Sequence, residues 1–256
     1  MSDPARTPSY DELWSDVYGE MQEHGPVHRH MRRILRGVLS GLAYRSAVDV
    51  GCGAGHNAGL LRAPGPLERL VGLDLSETAL ARARERDPRG EYVREDVQRG
   101  GLDETFDLVF SSLLLEHLAD DEAALRNMRA MTGRWLVVST MAGDFERYRA
   151  WDEQVGHLRN YARGELERKL ERTGFVVQRA IYWGFPLYSP LVRRLQNRAR
   201  ATARLGPAGR LAAAALYPLF FLNSSRRGDL LIVLARPAGP PSATAITESA
   251  SEQRGV

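Results

Sequence analysis

The apolar positions of this 256-residue chain change period repeatedly, and the changes divide it into elements. Short, largely β-branched runs at residues 46–51, 69–75, 92–97, 106–110, 135–140 and 175–181 read as strands, and residues 229–235 add a last one. Between them, residues 57–61, 77–86, 121–131 and 163–173 carry apolar side chains at helical spacing. Strand and helix alternating at these lengths predict right-handed crossovers and a doubly wound, mainly parallel α/β sheet of seven strands covered on both faces. Upstream, Ser9 and Glu12 form a capping-box pair at the start of a helix whose Tyr10, Leu13, Trp14, Val17, Tyr18 and Met21 make one stripe. A second helix follows Gly25-Pro26 through Met31, Ile34, Leu35, Val38 and Leu39 and stops at Gly41. His24, His28 and His30 lie there among Arg29, Arg32 and Arg33, a pattern that reads as a solvated basic face and not as a metal site.

These boundaries predict a flexible stretch over residues 1–8, N-terminal helices over 9–45, one α/β domain over 46–237 and a disordered tail over 238–256, where Pro, Ser, Thr and Ala dominate. Inside the domain, residues 186–228 are too long for a turn. Their first part interleaves Leu191, Val192 and Leu195 with Arg193, Arg194, Arg198, Arg200 and Arg204; their second, residues 211–222, is nearly all apolar and kinked at Pro218. A basic amphipathic helix followed by a short apolar one fits peripheral membrane contact through 191–222. It equally fits a helical cap packed on the sheet edge.

Composition adds limits. Hydrophobic residues make up 43% and charged residues 26%, ordinary for a globular domain, and a net charge of +3 does not point to a nucleic-acid binder. Cys52 is the single cysteine, so neither an internal disulfide nor a cysteine metal cluster is available. Residues 1–7 lack the regions of a secretory signal, and no apolar run reaches the ~20 residues of a membrane span, so a cytoplasmic protein is expected.

The chemistry centres on residues 47–61. A β-branched strand breaks into closely spaced glycines and resumes at helical spacing, and the pattern is Asp49-x-Gly51-x-Gly53-x-Gly55. Glycines admit positive φ and close ligand approach, and the helix start offers unpaired N–H groups. A dinucleotide turn would need glycine at His56, which disfavours a nicotinamide dehydrogenase. Downstream, the second strand ends in Asp74, ~20 residues past the turn, the separation at which a carboxylate accepts both hydroxyls of a ribose. Asp74 equally precedes a helix capped by Ser76.

The glycine pattern resembles motif I of the class I S-adenosylmethionine-dependent methyltransferases of the small-molecule type, similar to those of ubiquinone and menaquinone biosynthesis. The likeness runs from Val48 to Val177. It implies a Rossmann-like fold in which Gly51, Cys52, Gly53 and Gly55 wrap the methionine part of the cofactor and Asp49 helps hold its amino acid end. It further implies that Asp74 with Leu75 meets the ribose, that Asp96 with Val97 takes the adenine, and that backbone near Ser111 meets the ammonium group. N-terminal helices often close over the cofactor in this family, which makes Tyr18 a candidate contact. His117 follows the fourth strand near where methyl transfer would occur, and a neutral imidazole can take a proton from a hydroxyl. Residues 156–161 resemble the family's His-Leu-Arg-x-Tyr segment, so His157 is a second candidate base, and Arg159 and Tyr161 are candidate acceptor contacts. Residues 145–151 are an aromatic addition to the family's pattern.

The expected function is methylation of a small-molecule acceptor, a hydroxyl first, with S-adenosyl-L-methionine as cofactor, S-adenosyl-L-homocysteine as product and no metal. A carbon or nitrogen acceptor, lipid-linked or quinone-like, is the nearest alternative; a cofactor-binding scaffold without activity is the alternative from another class.

Overall fold

A computed structural model describes residues 24–198 and 206–239. The predicted helix over Ser9 to Met21, with Tyr18, lies outside them, as does most of the tail. The described chain runs α1 (Pro26–Leu39), β1 (Ser46–Val50), α2 (Ala58–Arg62), β2 (Arg69–Asp74), α3 (Glu77–Arg86), β3 (Glu91–Arg94) and β4 (Phe106–Ser112). It continues through α4 (Asp121–Met131), β5 (Thr132–Met141), α5 (Phe145–Gln154), α6 (Glu165–Arg172), β6 (Phe175–Trp183), α7 (Arg193–Gln196), α8 (Pro207–Leu219) and β7 (Leu230–Pro237). One seven-stranded sheet results, in the order β3-β2-β1-β4-β5-β7-β6. All pairs are parallel except those of β7, which runs antiparallel to β5 and β6. Strand order reverses between β1 and β4, and in such a sheet the crevice beyond the carboxyl ends at that point receives the ligand.

Alternation within the strands fills two cores. Val48 and Val50 of β1 face one side with Leu125 and Met128 of α4 and Leu166 and Leu170 of α6. Ala47 faces the other with Met31, Leu35 and Leu39 of α1 and with Phe220. Helices α3 and α4 begin at the predicted residues because Ser76 and Asp120 accept the N–H groups of Ala79 and Ala123, at 3.1 and 2.8 Å. β5 begins earlier than the apolar run suggests: Thr132 already pairs with Phe106, and a Cβ at Gly133 would sit 3.1 Å from the Phe106 carbonyl oxygen.

Two expectations are corrected. His30 is not on a solvated face. It is buried, its Nε2 donates to the Tyr217 carbonyl at 2.8 Å, its Nδ1 accepts from Arg33 at 3.3 Å, and its ring stacks on Trp183. Burial holds its pKa below the usual histidine value, so it serves as a neutral strut between α1 and the insertion. Arg193, expected on the basic face of an amphipathic helix, is 1% exposed. Its Nη2 binds both oxygens of Asp152 at 2.9 and 2.8 Å, and its Nη1 lies 3.2 Å from Asp229. The pair joins α5, α7 and the start of β7 from three distant segments.

Replacing Arg193 with Met keeps much of the side-chain volume but leaves two carboxylates without their counterion, a loss of about 3–5 kcal/mol for a broken buried pair. Urea denaturation should show a midpoint well below wild type, whereas an unchanged midpoint would mean that the network is stabilised by other contacts.

Candidate functional site

The turn after β1 is fastened from below. Gly51, Gly53 and Gly55 take φ of 74°, 53° and 72°, and a Cβ at Gly51 would come 2.9 Å from the Leu114 side chain. Asp74 holds the turn: its Oδ2 accepts the Gly53 N–H at 2.8 Å and its Oδ1 accepts the Ser76 N–H at 2.9 Å. The carboxylate at the end of β2 therefore ties the glycine turn to the start of α3. A Cβ at Gly55 would come 3.1 Å from Ala83 Cα, so this glycine allows close packing of turn and helix.

Above the turn lies a cleft lined by Val50, Gly51, Leu73, Asp74, Leu75, Glu95, Asp96, Val97, Gln98, Leu114, His117 and Leu118. Six of the sequence-derived site residues meet there: Gly51, Asp74, Leu75, Asp96, Val97 and His117. Asp96 Oδ1 accepts the Gln98 backbone N–H at 3.0 Å, which holds the loop after β3 in place. Leu113, just past β4, takes φ of 55°, and its N–H donates to Ser139 at 2.8 Å. Positive φ is costly for a leucine and marks this bend as constrained.

Other predicted residues lie apart from the cleft lining. Cys52 turns its thiol into a small core with Leu80, Ala83 and Tyr92. Ser111 is buried, and its hydroxyl donates to the Val50 carbonyl at 3.0 Å, bracing β4 against β1. Gly53 and Gly55 shape the turn from behind. Asp49 is 3% exposed, and its Oδ1 has no hydrogen-bond partner among the described residues. Burial, with the neighbouring Asp74 charge, pushes its pKa up to about 8.

Arg159 and Tyr161, the candidate acceptor contacts, turn to Asp121 and lie outside the cleft lining. Tyr161 is fully buried in the core and donates to Asp121 Oδ2 at 2.6 Å. Arg159 lies 2.8 Å from Asp121 Oδ1 and also donates to the Ala119 carbonyl. Lys169 completes the cluster at 2.6 Å, and together these donors outweigh burial and hold Asp121 below the usual carboxylate range. The spacing of residues 157–161 resembled a loop motif, and the partner 40 residues away that claims its side chains left no local mark.

The two candidate histidines come together. Their rings meet edge to face at a centroid distance of 4.8 Å. His117 Nδ1 lies 2.9 Å from the Gly156 carbonyl, which can only accept, so the proton sits on Nδ1 and the ring's lone pair on Nε2. Burial, reinforced by His157, lowers its pKa to about 3 and keeps it neutral. His157 Nδ1 lies 3.3 Å from Asp152 Oδ1, too bent for a well-formed hydrogen bond. Burial alone would raise Asp152, but His157 and Arg193 hold it below the usual range, so a carboxylate faces His157. Glu116 is buried beside them. Its Oε2 accepts from Thr140 at 2.7 Å, its Oε1 has no partner among the described residues, and burial raises its pKa. Glu116, His117 and His157 offer ligand atoms within 4.8 Å of one another and are the residues here that could hold a metal. Sequence reading missed Glu116, Asp152 and Arg193: Glu116 carries the signal of an acid directly after Leu113 to Leu115, whereas Asp152 beside Glu153 and Arg193 beside Arg194 carry none.

Residues 48–133 match the methyltransferase domain family. Trans-aconitate 2-methyltransferase of Klebsiella pneumoniae is 33% identical over 92 residues, 36% of each chain. The ubiquinone biosynthesis O-methyltransferase of Aliivibrio fischeri is 29% identical over 160 residues, 57% of this chain and 66% of that one. The matched region thus spans about a third to two thirds of these relatives. Among solved structures, the N-methyltransferase NodS of Bradyrhizobium japonicum, in complex with S-adenosyl-L-homocysteine, superposes with a TM-score of 0.61 at 20% identity, covering 90% of this chain and 98% of that one. The Haloferax volcanii putative methyltransferase, in complex with the Trm112 activator, superposes at 0.63 and 16% identity, covering 87% and 93%. At these identities the superpositions establish the fold.

Asp49 gives the fold a pH signature. Its pKa is higher folded than unfolded, so the folded protein binds the extra proton from about pH 4 to about pH 8, and stability from this group falls as pH rises through that window. Asp49→Asn removes the slope: thermal melts should show variant and wild type alike near pH 4 and the variant more stable at pH 9. Parallel curves throughout would mean that Asp49 ionises normally.

Proposed function

We propose that this chain, whose residues 48–133 match the methyltransferase domain family, is a class I S-adenosylmethionine-dependent methyltransferase that methylates a hydroxyl of a small-molecule biosynthetic intermediate and leaves S-adenosylhomocysteine. The observation that carries the reading is His117, which lines the cleft above the glycine turn and touches His157 on its other side. The residues fit the cofactor. A buried carboxylate oxygen of Asp49 lacks a partner, and the Gly51 backbone stands where a Cβ would collide with Leu114. When bound, S-adenosylmethionine supplies an electrophilic methyl group.

In this reading Gly51, Asp74 and Leu75 hold the sugar and amino acid portions, and Asp96 and Val97 hold the base. Asp49, nearly neutral at pH 7 when alone, ionises against a cationic ligand. His157, with Asp152 behind Nδ1, takes the acceptor's proton, and His117 stays neutral and positions the acceptor oxygen. Bound acceptor and cofactor are brought into line by the protein, which contributes alignment and proton removal. Support for oxygen as acceptor comes from the relatives: the Aliivibrio enzyme is an O-methyltransferase, as is the malonyl-[acyl-carrier protein] enzyme of Salmonella typhimurium, 30% identical over 110 residues. An amine acceptor would need no strong base.

Exposed apolar side chains favour peripheral contact with the inner face of the membrane from the cytoplasm. Leu211, Phe221 and Leu222 are 74%, 54% and 69% exposed, and Arg29 and Arg33 stack over Tyr217 and Phe221 at the rim. Apolar insertion flanked by arginines suits an anionic lipid surface. No helix among the described residues is long and apolar enough to cross a membrane.

For any hydroxyl acceptor turned over in an S-adenosylhomocysteine release assay, His157→Gln should lower kcat by ~10²–10⁴-fold with cofactor affinity unchanged. Unchanged kcat would remove the base. Dialysis against EDTA should leave turnover intact; a loss restored by a divalent cation would reassign Glu116, His117 and His157 to metal. The wild type should co-sediment with vesicles containing phosphatidylglycerol, and the triple variant Leu211→Ser, Phe221→Ser, Leu222→Ser should not; wild type left in the supernatant would end the membrane reading.

A further inference from the structure

A second and larger hollow opens at the same edge of the sheet. It has a volume of about 480 Å³ and lies over the carboxyl ends of β5 and β6 and the start of β7, between Ala142, Tyr182 and Asp229. The sheet order sets it on the far side of β4 from the adenine end of the cofactor cleft. Its walls are firm. Gly228 takes φ of 152°, and a Cβ there would fall 2.1 Å from the Trp183 backbone. Tyr148 donates its hydroxyl to the Ser189 carbonyl at 2.7 Å.

Three arginines line this hollow, and each is laid against an aromatic ring. The Arg163 guanidinium lies 4.5 Å from the Tyr182 ring centroid, that of Arg227 4.3 Å from Phe185, and that of Arg147 5.4 Å from Tyr148. Below Tyr148 the buried Arg193 guanidinium approaches the same ring from 4.1 Å. Stacking engages a guanidinium's face and leaves the N–H donors at its edge for a carboxylate or phosphate; Arg163 gives one of its donors, Nη1, to the Arg226 carbonyl at 3.2 Å and keeps the others.

The acids lining the hollow are already engaged. Asp144 caps α5 by accepting the Arg147 N–H at 3.3 Å, and Asp229 lies 3.2 Å from Arg193. Among the described residues, none of Arg147, Arg163 and Arg227 has a carboxylate within 4.0 Å, although Arg62, Arg69, Arg84, Arg149, Arg159 and Arg172 all do. What sets these three apart is their convergence on a single concavity.

We propose that this hollow receives an anionic group of the methyl acceptor, a carboxylate or a phosphate, clamped by Arg147, Arg163 and Arg227 while the rest of the molecule reaches toward His157. The inference rests on the methyltransferase reading for the word acceptor, and the hollow as an anion site stands by itself. It makes the arginines specificity-determining residues that touch the substrate away from the reacting atom.

The test is calorimetric titration of the full chain, saturated with S-adenosylhomocysteine, at low salt, with benzoate, phenyl phosphate and neutral benzyl alcohol as probes. The cofactor titration comes first on the same preparation. At least one acid should bind, its affinity should fall with added salt, and Arg163→Gln with Arg227→Gln should weaken it tenfold or more while leaving S-adenosylhomocysteine affinity unchanged. Preference for benzoate or for phenyl phosphate identifies the group. Equal binding of benzyl alcohol, or equal acid binding by the variants, overturns the proposal, as does a protein that binds the cofactor and neither acid. A protein that binds the acids through these arginines but not S-adenosylhomocysteine upholds the anion site and overturns the methyltransferase reading. These arginines are exposed, so the variants are expected to fold.

Discussion

The contact on which the site depends is the pair of hydrogen bonds from the Gly53 and Ser76 N–H groups to Asp74. One carboxylate at the end of β2 fixes both the glycine turn after β1 and the first turn of α3, so two strands and a helix are locked at the crevice where the strand order reverses. Hydrogen bonds to a buried carboxylate are worth about 1.5–3 kcal/mol each. They act together with the Leu73 carbonyl, which accepts the Gly51 and Cys52 N–H groups at 2.8 and 2.9 Å, so the whole turn is pinned to the end of β2. Asp74 is thereby a structural residue and a cleft residue at once, and the capping and ligand readings of its neighbourhood describe one carboxylate.

A second buried network braces the histidine pair as Asp74 braces the glycine turn. Arg193 gathers Asp152 from α5 and Asp229 from the start of β7, and Asp152 in turn faces His157. The insertion between β6 and β7 therefore reaches the histidine pair through charge, and Tyr148 of α5, in the aromatic addition after β5, is packed between Arg147 and Arg193. Under the proposed function, acceptor recognition and proton transfer share one scaffold. The loss of a carboxylate from the network would alter both.

What the sequence disclosed, it disclosed through short-range physics. Helices α3 and α4 start where Ser76 and Asp120 can cap them, and the strands follow β-branched runs. The glycine turn is legible because positive φ restricts residue choice. Position in the fold also made Asp74, Asp96 and His117 visible, since each follows a strand's carboxyl end. What escaped depends on partners far along the chain. His30 looks solvated until Tyr217 and Trp183 arrive from the other side of the fold, and Arg193 looks like one of many surface arginines until Asp152 and Asp229 enclose it. The burial of Tyr161 escaped for the same reason: Asp121, 40 residues earlier, takes its hydroxyl.

The central claim is that the turn at Gly51 to Gly55, with Asp49 beneath it and Asp74 fastening it, is an S-adenosylmethionine site. Calorimetric titration with S-adenosylhomocysteine, with NAD as the control, tests it most directly. Saturable micromolar binding of S-adenosylhomocysteine and none of NAD is the predicted result. Binding of NAD with no response to S-adenosylhomocysteine would contradict the account.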